Sequence, residues 1–385
     1  MKNFEFYNPT KIVFGPDKVA ELATLVPAAA RVLVLFGGAS AQKTGTLAEV
    51  KAALGSRVVH EFGGIEPNPT YETLMKAVAQ VKLEKIDFLL AVGGGSVIDG
   101  TKFVAAAACF DGEPWDILLK GGSQVRQALP FGTVLTLPAT GSEMNSGSVI
   151  TRKATHTKLA FMSSHVFPQF SVLDPTKTYT LPTKQIANGI ADAFVHTVEQ
   201  YLTYPVQGLA QDRFAEGLLQ TLIEIAPKAL AEPEDYDTRA NLMWTATLAL
   251  NGLIGAGVPQ DWATHMIGHE LTALYGIDHA RTLAIVLPSL LNVKRETKRA
   301  KLLQYAERVW HITSGTDDER IDAAIERTRA FFESLGIKTR LSGYALGQEA
   351  VEAVVAQLET HGMTALGEHK DISLEVSRAI LQAAL

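Results

Sequence analysis

Residues 86–108 read IDFLLAVGGGSVIDGTKFVAAAA: an unbroken apolar run, three glycines, then a segment of helical period. An apolar run without polar alternation suits a strand covered on both faces, and a strand that turns directly into a helix belongs to a βαβ unit. The chain is therefore committed to a parallel, doubly wound sheet over this region. The same alternation recurs up to about residue 180, with expected strands at 31–38 (RVLVLFGG), 58–65 (VVHEFGGI), 86–95 and 131–138 (FGTVLTLP) and expected helices at 71–83 and 97–109. Ligands of such sheets bind at the carboxyl ends of the strands. Glycine clusters stand there: Gly37-Gly38-Ala39-Ser40, Gly63-Gly64 and Gly93-Gly94-Gly95-Ser96. Glycine lets a backbone approach a pyrophosphate, and the unpaired amides of a helix start attract its charge. Ile98 occupies the place of the last glycine in G-x-G-x-x-G, so that fingerprint is not met.

Beyond residue 180 the period changes. Segments 211–230, 238–253 and 319–335 carry apolar residues three and four apart with charges between them. For 385 residues this implies two domains. The expected division is a nucleotide-binding α/β domain at 1–180 and a helical metal-binding and substrate domain at 181–385, with the boundary near Pro175 and Pro182.

The helical half carries the polar chemistry. Asp192 and His196 are four apart in GIADAFVHTVEQY, as are His265 and His269 in DWATHMIGHELTALYGIDHA, which also contains His279. Side chains four apart share one helix face. Burying such groups singly costs free energy, whereas a shared cation satisfies several at once. With Cys109 the only cysteine, a thiolate cluster is excluded, and any metal must be held by nitrogen and oxygen. One carboxylate with two or three imidazoles suits zinc or ferrous iron. The net charge of −6, without a basic block, argues against nucleic-acid and anionic-membrane partners. The opening MKNFEFYNPT lacks the apolar core of a secretory peptide, and a cytoplasmic protein is expected.

Taken together, GGGSVIDGTK at 93–102, LTLPATGSE at 135–143, NGIADAFVH at 188–196 and HMIGHE with IDHA at 265–280 resemble the iron-dependent (group III) alcohol dehydrogenases. The resemblance runs from NPTKIVFG at 8–15 to the last helices and is strongest to the bacterial NADPH-dependent aldehyde reductase and butanol dehydrogenase branch. It implies a dehydroquinate synthase-like fold: a Rossmann-like N-terminal domain, an all-α C-terminal domain and a cleft between them.

Carried over residue by residue, the resemblance makes Asp192, His196, His265 and His279 the metal ligands. His269 becomes a proton relay near the nicotinamide or, alternatively, a hydrogen-bond partner of a ligand. Gly94, Gly95 and Ser96 would cradle the pyrophosphate, and Asp99 would act near the nicotinamide or only complement its helix start. Thr136, Thr140, Asn145 and Lys158 would line the cofactor trough, and Asn68 would contact the adenosine side or serve as a turn residue. NAD-preferring relatives carry an acid just after the first strand; here Gly38 stands there with Ser40 and Lys43 close behind, which favours the 2′-phosphate of NADP(H). Ala39 departs from the third glycine of similar sequences.

The expected activity is metal-assisted hydride transfer that reduces short-chain and other small aldehydes to alcohols. Zinc is ranked above ferrous iron as the divalent metal, and a homodimer is expected. The alternatives are a glycerol dehydrogenase-like enzyme and a dehydroquinate synthase-like sugar-phosphate lyase. Between Gly255 and Ala280 there is no lysine or arginine to hold a phosphorylated substrate, and Leu253, Ile254 and Trp262 favour an uncharged one.

Overall fold

The computed structural model describes residues 1–38 and 40–385; Ala39 lies outside them. The chain divides into two compact units, one of residues 7–182 with 232–247 and one of residues 1–6, 183–231 and 248–385.

In the first unit, β1 (Lys11–Phe14), β2 (Arg31–Phe36), β3 (Val58–Phe62), β4 (Phe88–Gly94), β5 (Phe131–Leu137) and β8 (Phe170–Leu173) form a parallel sheet in the order β1-β8-β5-β4-β2-β3. Between β5 and β8, β6 (Gly147–Arg152) and β7 (Thr157–Met162) form an antiparallel hairpin. Alternate strand residues enter different cores. Leu33 and Leu35 join the cluster containing Leu74 and Val78 of α2 (Tyr71–Leu83) and Phe103 of α3 (Gly95–Ala108), while Val32 and Val34 join the one containing Leu47 and Val50 of α1 (Thr46–Leu54). Burial on both faces explains the continuous apolar runs of β2 and β4.

The expected strands at 31–38, 58–65, 86–95 and 131–138 correspond to β2, β3, β4 and β5. The N-terminal segment 4–14 was open to pairing across a dimer or within its own sheet, whereas β8, four residues long, and the only partly apolar hairpin were not anticipated. Residues 11–14 pair with β8 of their own sheet.

Chain direction across the sheet reverses between β2 and β4, since β3 lies on one side of β2 and the later strands follow on the other. Such a switch point opens a crevice at the carboxyl ends of the strands. Gly37 and Gly38 follow β2 there, and Gly94 ends β4.

Two of these glycines serve different ends. A Cβ on Gly95 would lie 2.3 Å from Thr140 Oγ1, so the start of α3 is pressed against the segment after β5. A Cβ on Gly38 would meet nothing within 4 Å.

In the second unit the helices are α4 (Thr183–Tyr201), α5 (Leu209–Ala231), α6 (Tyr236–Ala249) over its last residues, α7 (Ala263–Tyr275), α8 (His279–Val293), α9 (Arg299–Arg308), α10 (Asp317–Ser334), α11 (Gln348–Thr360) and α12 (Leu374–Gln382). Most of α6 belongs to the sheet unit: Met243 joins its core, and Trp244 meets Phe14 edge-on at 6.3 Å. From Ile186 to Tyr201 every residue of α4 is buried, so this helix is enclosed on all sides and its polar residues must find partners inside the protein. Among the described residues no helix is long and apolar enough to cross a membrane.

The glycine contrast predicts that Gly95→Ala lowers stability by about 1–3 kcal/mol through overpacking. Gly38→Ala should change it by less than about 0.5 kcal/mol. Thermal unfolding followed by circular dichroism checks both, and an unchanged midpoint for Gly95→Ala would contradict the packing argument.

Candidate functional site

The helical period of α4 places Asp192, His196 and Glu199 on one buried face. His265 and His269 come from α7, and His279 is the first residue of α8. Donor atoms of Asp192, His265 and His279 all lie within 4.8 Å of one another. His196 Nε2 and His279 Nε2 each stand 3.7 Å from Asp192 Oδ1. That is beyond hydrogen-bond reach, and among the described residues Asp192 Oδ1 accepts no hydrogen bond although it is buried. Donors around a tetrahedral zinc ion, each about 2.0–2.2 Å from it, stand roughly 3.3–3.6 Å apart. The oxygen-and-nitrogen donor set and the orphaned carboxylate oxygen both fit a divalent cation.

The histidine rings are close-set. His196 and His265 stack with centres 4.7 Å apart, and His279 lies 5.2 Å from His265. His269 is 5.0 Å from His279 and 6.1 Å from His265, so it borders the cluster. Trp262 packs edge-on against His196 and His265, giving the site an apolar wall.

His265 Nδ1 contacts Glu199 Oε2, and the His265 amide donates to Glu199 Oε1 at 3.3 Å. A carboxylate on one ring nitrogen orients the imidazole and leaves Nε2 as its metal-facing donor. Burial, reinforced by the Asp261 carboxylate, pushes Glu199 well above the usual carboxylate range, while the His265 amide and His196 oppose that rise. Behind Glu199, the Asp261 amide donates to the Glu199 carbonyl at 2.8 Å. The buried Lys298 joins Asp261 Oδ2 at 2.8 Å to Glu368 Oε1 at 2.7 Å. None of Glu199, Asp261, Lys298 or Glu368 was singled out from the sequence. Only Glu199 carried a signal, its spacing of three from His196 and seven from Asp192.

In the sheet unit, Gly38 and Ser40 are exposed, while Gly94, Ser96, Thr136 and Thr140 are partly exposed along the carboxyl ends of β2, β4 and β5. Gly95 is buried against Thr140. The open space at Gly38 and the amides at the start of α3 fit a nucleotide phosphate.

Lys158, on β7, donates to Asn68 Oδ1 at 2.9 Å, which joins the hairpin to the Pro-Asn-Pro turn. Asn68 has φ 55°, a left-handed turn conformation that asparagine tolerates.

Asp99 and Asn145 are held by protein groups. Asp99 accepts from Ser142 Oγ at 2.6 Å and from the Val149 amide at 2.9 Å. Lys102 Nζ donates to Ser142 Oγ at 2.9 Å and to Asn145 Oδ1 and the Gly147 carbonyl, each at 2.8 Å. Burial brings the Lys102 amine down to about 8, against the pull of Asp99 and Glu143. Lys102 and Ser142 thus fix the loop that carries Thr140 and Asn145, a role not read from the sequence.

Exchanging Glu199 for Gln should preserve the helices and weaken binding of added zinc by about 10–100-fold. Competition with a chelator of known affinity measures this, and an unchanged affinity would remove Glu199 from the site.

Comparison with known proteins bears on both units. Residues 9–175 match the family described as iron-containing alcohol dehydrogenase, and residues 186–385 match the C-terminal domain of the same family. Over the full length of both chains the protein is 64% identical to the NADPH-dependent aldehyde reductase YqhD of Escherichia coli. It is 43% identical, again over both full lengths, to a probable NADH-dependent butanol dehydrogenase of Bacillus subtilis. A solved substrate- and cofactor-free form of the Escherichia coli aldehyde reductase superposes with a TM-score of 0.94 at 62% identity, covering 100% of each chain. On these matches the chain belongs to the iron-containing alcohol dehydrogenase family.

Proposed function

We propose that the chain is an NADP(H)-dependent alcohol dehydrogenase that works as a reductase of small aldehydes, with one divalent cation held by Asp192, His196, His265 and His279. The observation that carries this reading is the buried Asp192 Oδ1, which accepts no hydrogen bond from the described residues and has two imidazole nitrogens at 3.7 Å. The 64% identical aldehyde reductase supports the same substrate class and cofactor.

When bound, the cation supplies Lewis acidity toward a carbonyl oxygen, and the nicotinamide supplies the hydride. Glu199 keeps the His265 ring oriented. Trp262 walls the donors with apolar surface, which favours an uncharged carbonyl compound over a phosphorylated one. His269, at the border of the histidine cluster, is placed by this reading as the group that hands a proton toward the product alkoxide. In the sheet unit, Gly94, Gly95 and Ser96 present the phosphate-binding start of α3, with Thr136, Thr140, Asn145, Lys158 and Asn68 along the trough and Asp99 bracing its loop.

The preference for NADP(H) rests on Gly38 and Ser40: no carboxylate stands just after β2 to repel a 2′-phosphate. Zinc is proposed ahead of ferrous iron; the family description names iron, and the donor set takes either. A cytoplasmic homodimer completes the proposal, with β1 at the open edge of its sheet and exposed Phe4, Phe6 and Tyr7 just before it in the chain. Size-exclusion chromatography with light scattering tests the dimer.

Activity on short aldehydes with NADPH should disappear after metal stripping and return with zinc or ferrous iron; full turnover by verified metal-free protein would reject the reading. Gly38→Asp should leave the unliganded fold intact, because the position is open. It should raise the dissociation constant for NADPH by about tenfold or more, at least 1.4 kcal/mol, with little effect on NADH. Fluorescence titration with both cofactors checks this, and equal weakening of both would contradict the assignment of the 2′-phosphate pocket.

A further inference from the structure

Asp278 immediately precedes His279 and occupies the N-cap position of α8. An aspartate at that position normally accepts a hydrogen bond from its own helix. Here its side chain makes no capping bond. Its Oδ2 instead receives Lys184 Nζ at 2.7 Å and Asn188 Nδ2 at 3.0 Å, with Arg281 Nε of its own helix farther off at 3.7 Å. Lys184, Asn188 and Asp192 are spaced by four on α4, so they run along one face of the helix that carries the central carboxylate.

Among the cluster residues His279 has the most exposed side chain, at 22%, and it is the only one at the first position of its helix. Asp192, His196 and His265 are held within helices and by core packing, whereas the approach of His279 is set by the chain entering α8. The start of α8 also packs closely on α7. Thr282 Oγ1 donates to the His279 carbonyl at 2.7 Å, and a Cβ on Gly268 would come within 2.9 Å of that same hydroxyl.

We propose that Asp278, clasped by Lys184 and Asn188, is a positioning residue that sets His279 against Asp192 for cation binding. The proposal rests on the metal reading given above. The clasp fixes the backbone one residue before the ligand, and its partners sit one and two turns before Asp192, so breaking it frees His279 from its register with the carboxylate. A helix-capping role would be lost equally with or without metal, whereas a positioning role shows in how tightly the cation is kept.

The test uses the full chain loaded with zinc or cobalt(II) and follows release to an excess of chromogenic chelator. Asp278→Ala should release the metal about tenfold or more faster than the wild type, within the range found when ligand-orienting groups are removed. It should also change the cobalt absorption bands. Lys184→Met alters a side chain that is 56% exposed, keeps the test usable if Asp278→Ala fails to fold, and should also speed release. Lys184→Arg, which keeps the ion pair, should restore the wild-type rate. Wild-type release from both Asp278→Ala and Lys184→Met would overturn the clasp. A wild-type chain that binds neither metal would overturn the metal reading beneath it, so the two failures are told apart.

Discussion

Burying an ionisable cluster inside a helical core is the constraint on which the second unit depends. Asp192, His196, His265 and His269 are all at or below 5% exposure, and α4 is enclosed over sixteen consecutive positions, 186–201. Each unpaired buried charge costs several kcal/mol, so the surrounding helices are arranged to supply partners. Glu199 orients His265, Asp261 packs behind Glu199, and Lys298 lies between Asp261 and Glu368. This chain of contacts links α4 to the segments around residues 261, 298 and 368. Asp192 has no such cation from the protein. Its ion-pair contacts among the described residues are to imidazoles, which is why a metal accounts for the cluster better than structural pairing does.

The sheet unit solves the same problem differently. Lys102 is fully buried, yet its amine donates to Ser142, Asn145 and Gly147 and lies near Asp99, so the protein supplies both signs. The consequence is mechanical. The start of α3 and the loop after β5 are bound into one piece, with Gly95 permitting the close approach, and the exposed Gly38 and Ser40 are left to face solvent. A rigid backing with an open glycine edge is what a nucleotide phosphate requires, since amides held in place gain more from an anion than amides that must first be ordered.

The central strands β2, β4 and β5 were legible because burial on both faces leaves a long apolar run, and glycines follow β2 and end β4. Strand β8 and the β6–β7 hairpin were not, because four to six residues of mixed polarity become strands only through their neighbours' hydrogen bonds. The Asp192/His196 and His265/His269 pairs were readable from spacing, since a helix places residues four apart on one face whatever the fold. Glu199 and Asp278 were equally visible as letters. In a chain with 41 acidic residues, nothing local separates a carboxylate that orients a ligand from one that faces water.

By itself, the sequence determined the local periods, the doubly wound class of the first unit and a donor set restricted to nitrogen and oxygen. These follow from backbone geometry and from having one cysteine, and they need no knowledge of distant contacts. Tertiary structure alone decided that Glu199 takes Nδ1 of His265, that Lys102 is committed to the loop after β5, and that Asp278 pairs with Lys184 of α4 instead of capping its own helix. Those assignments join residues 40 to 94 positions apart. Chain connectivity sets no distance over such spans, so packing had to choose the partners.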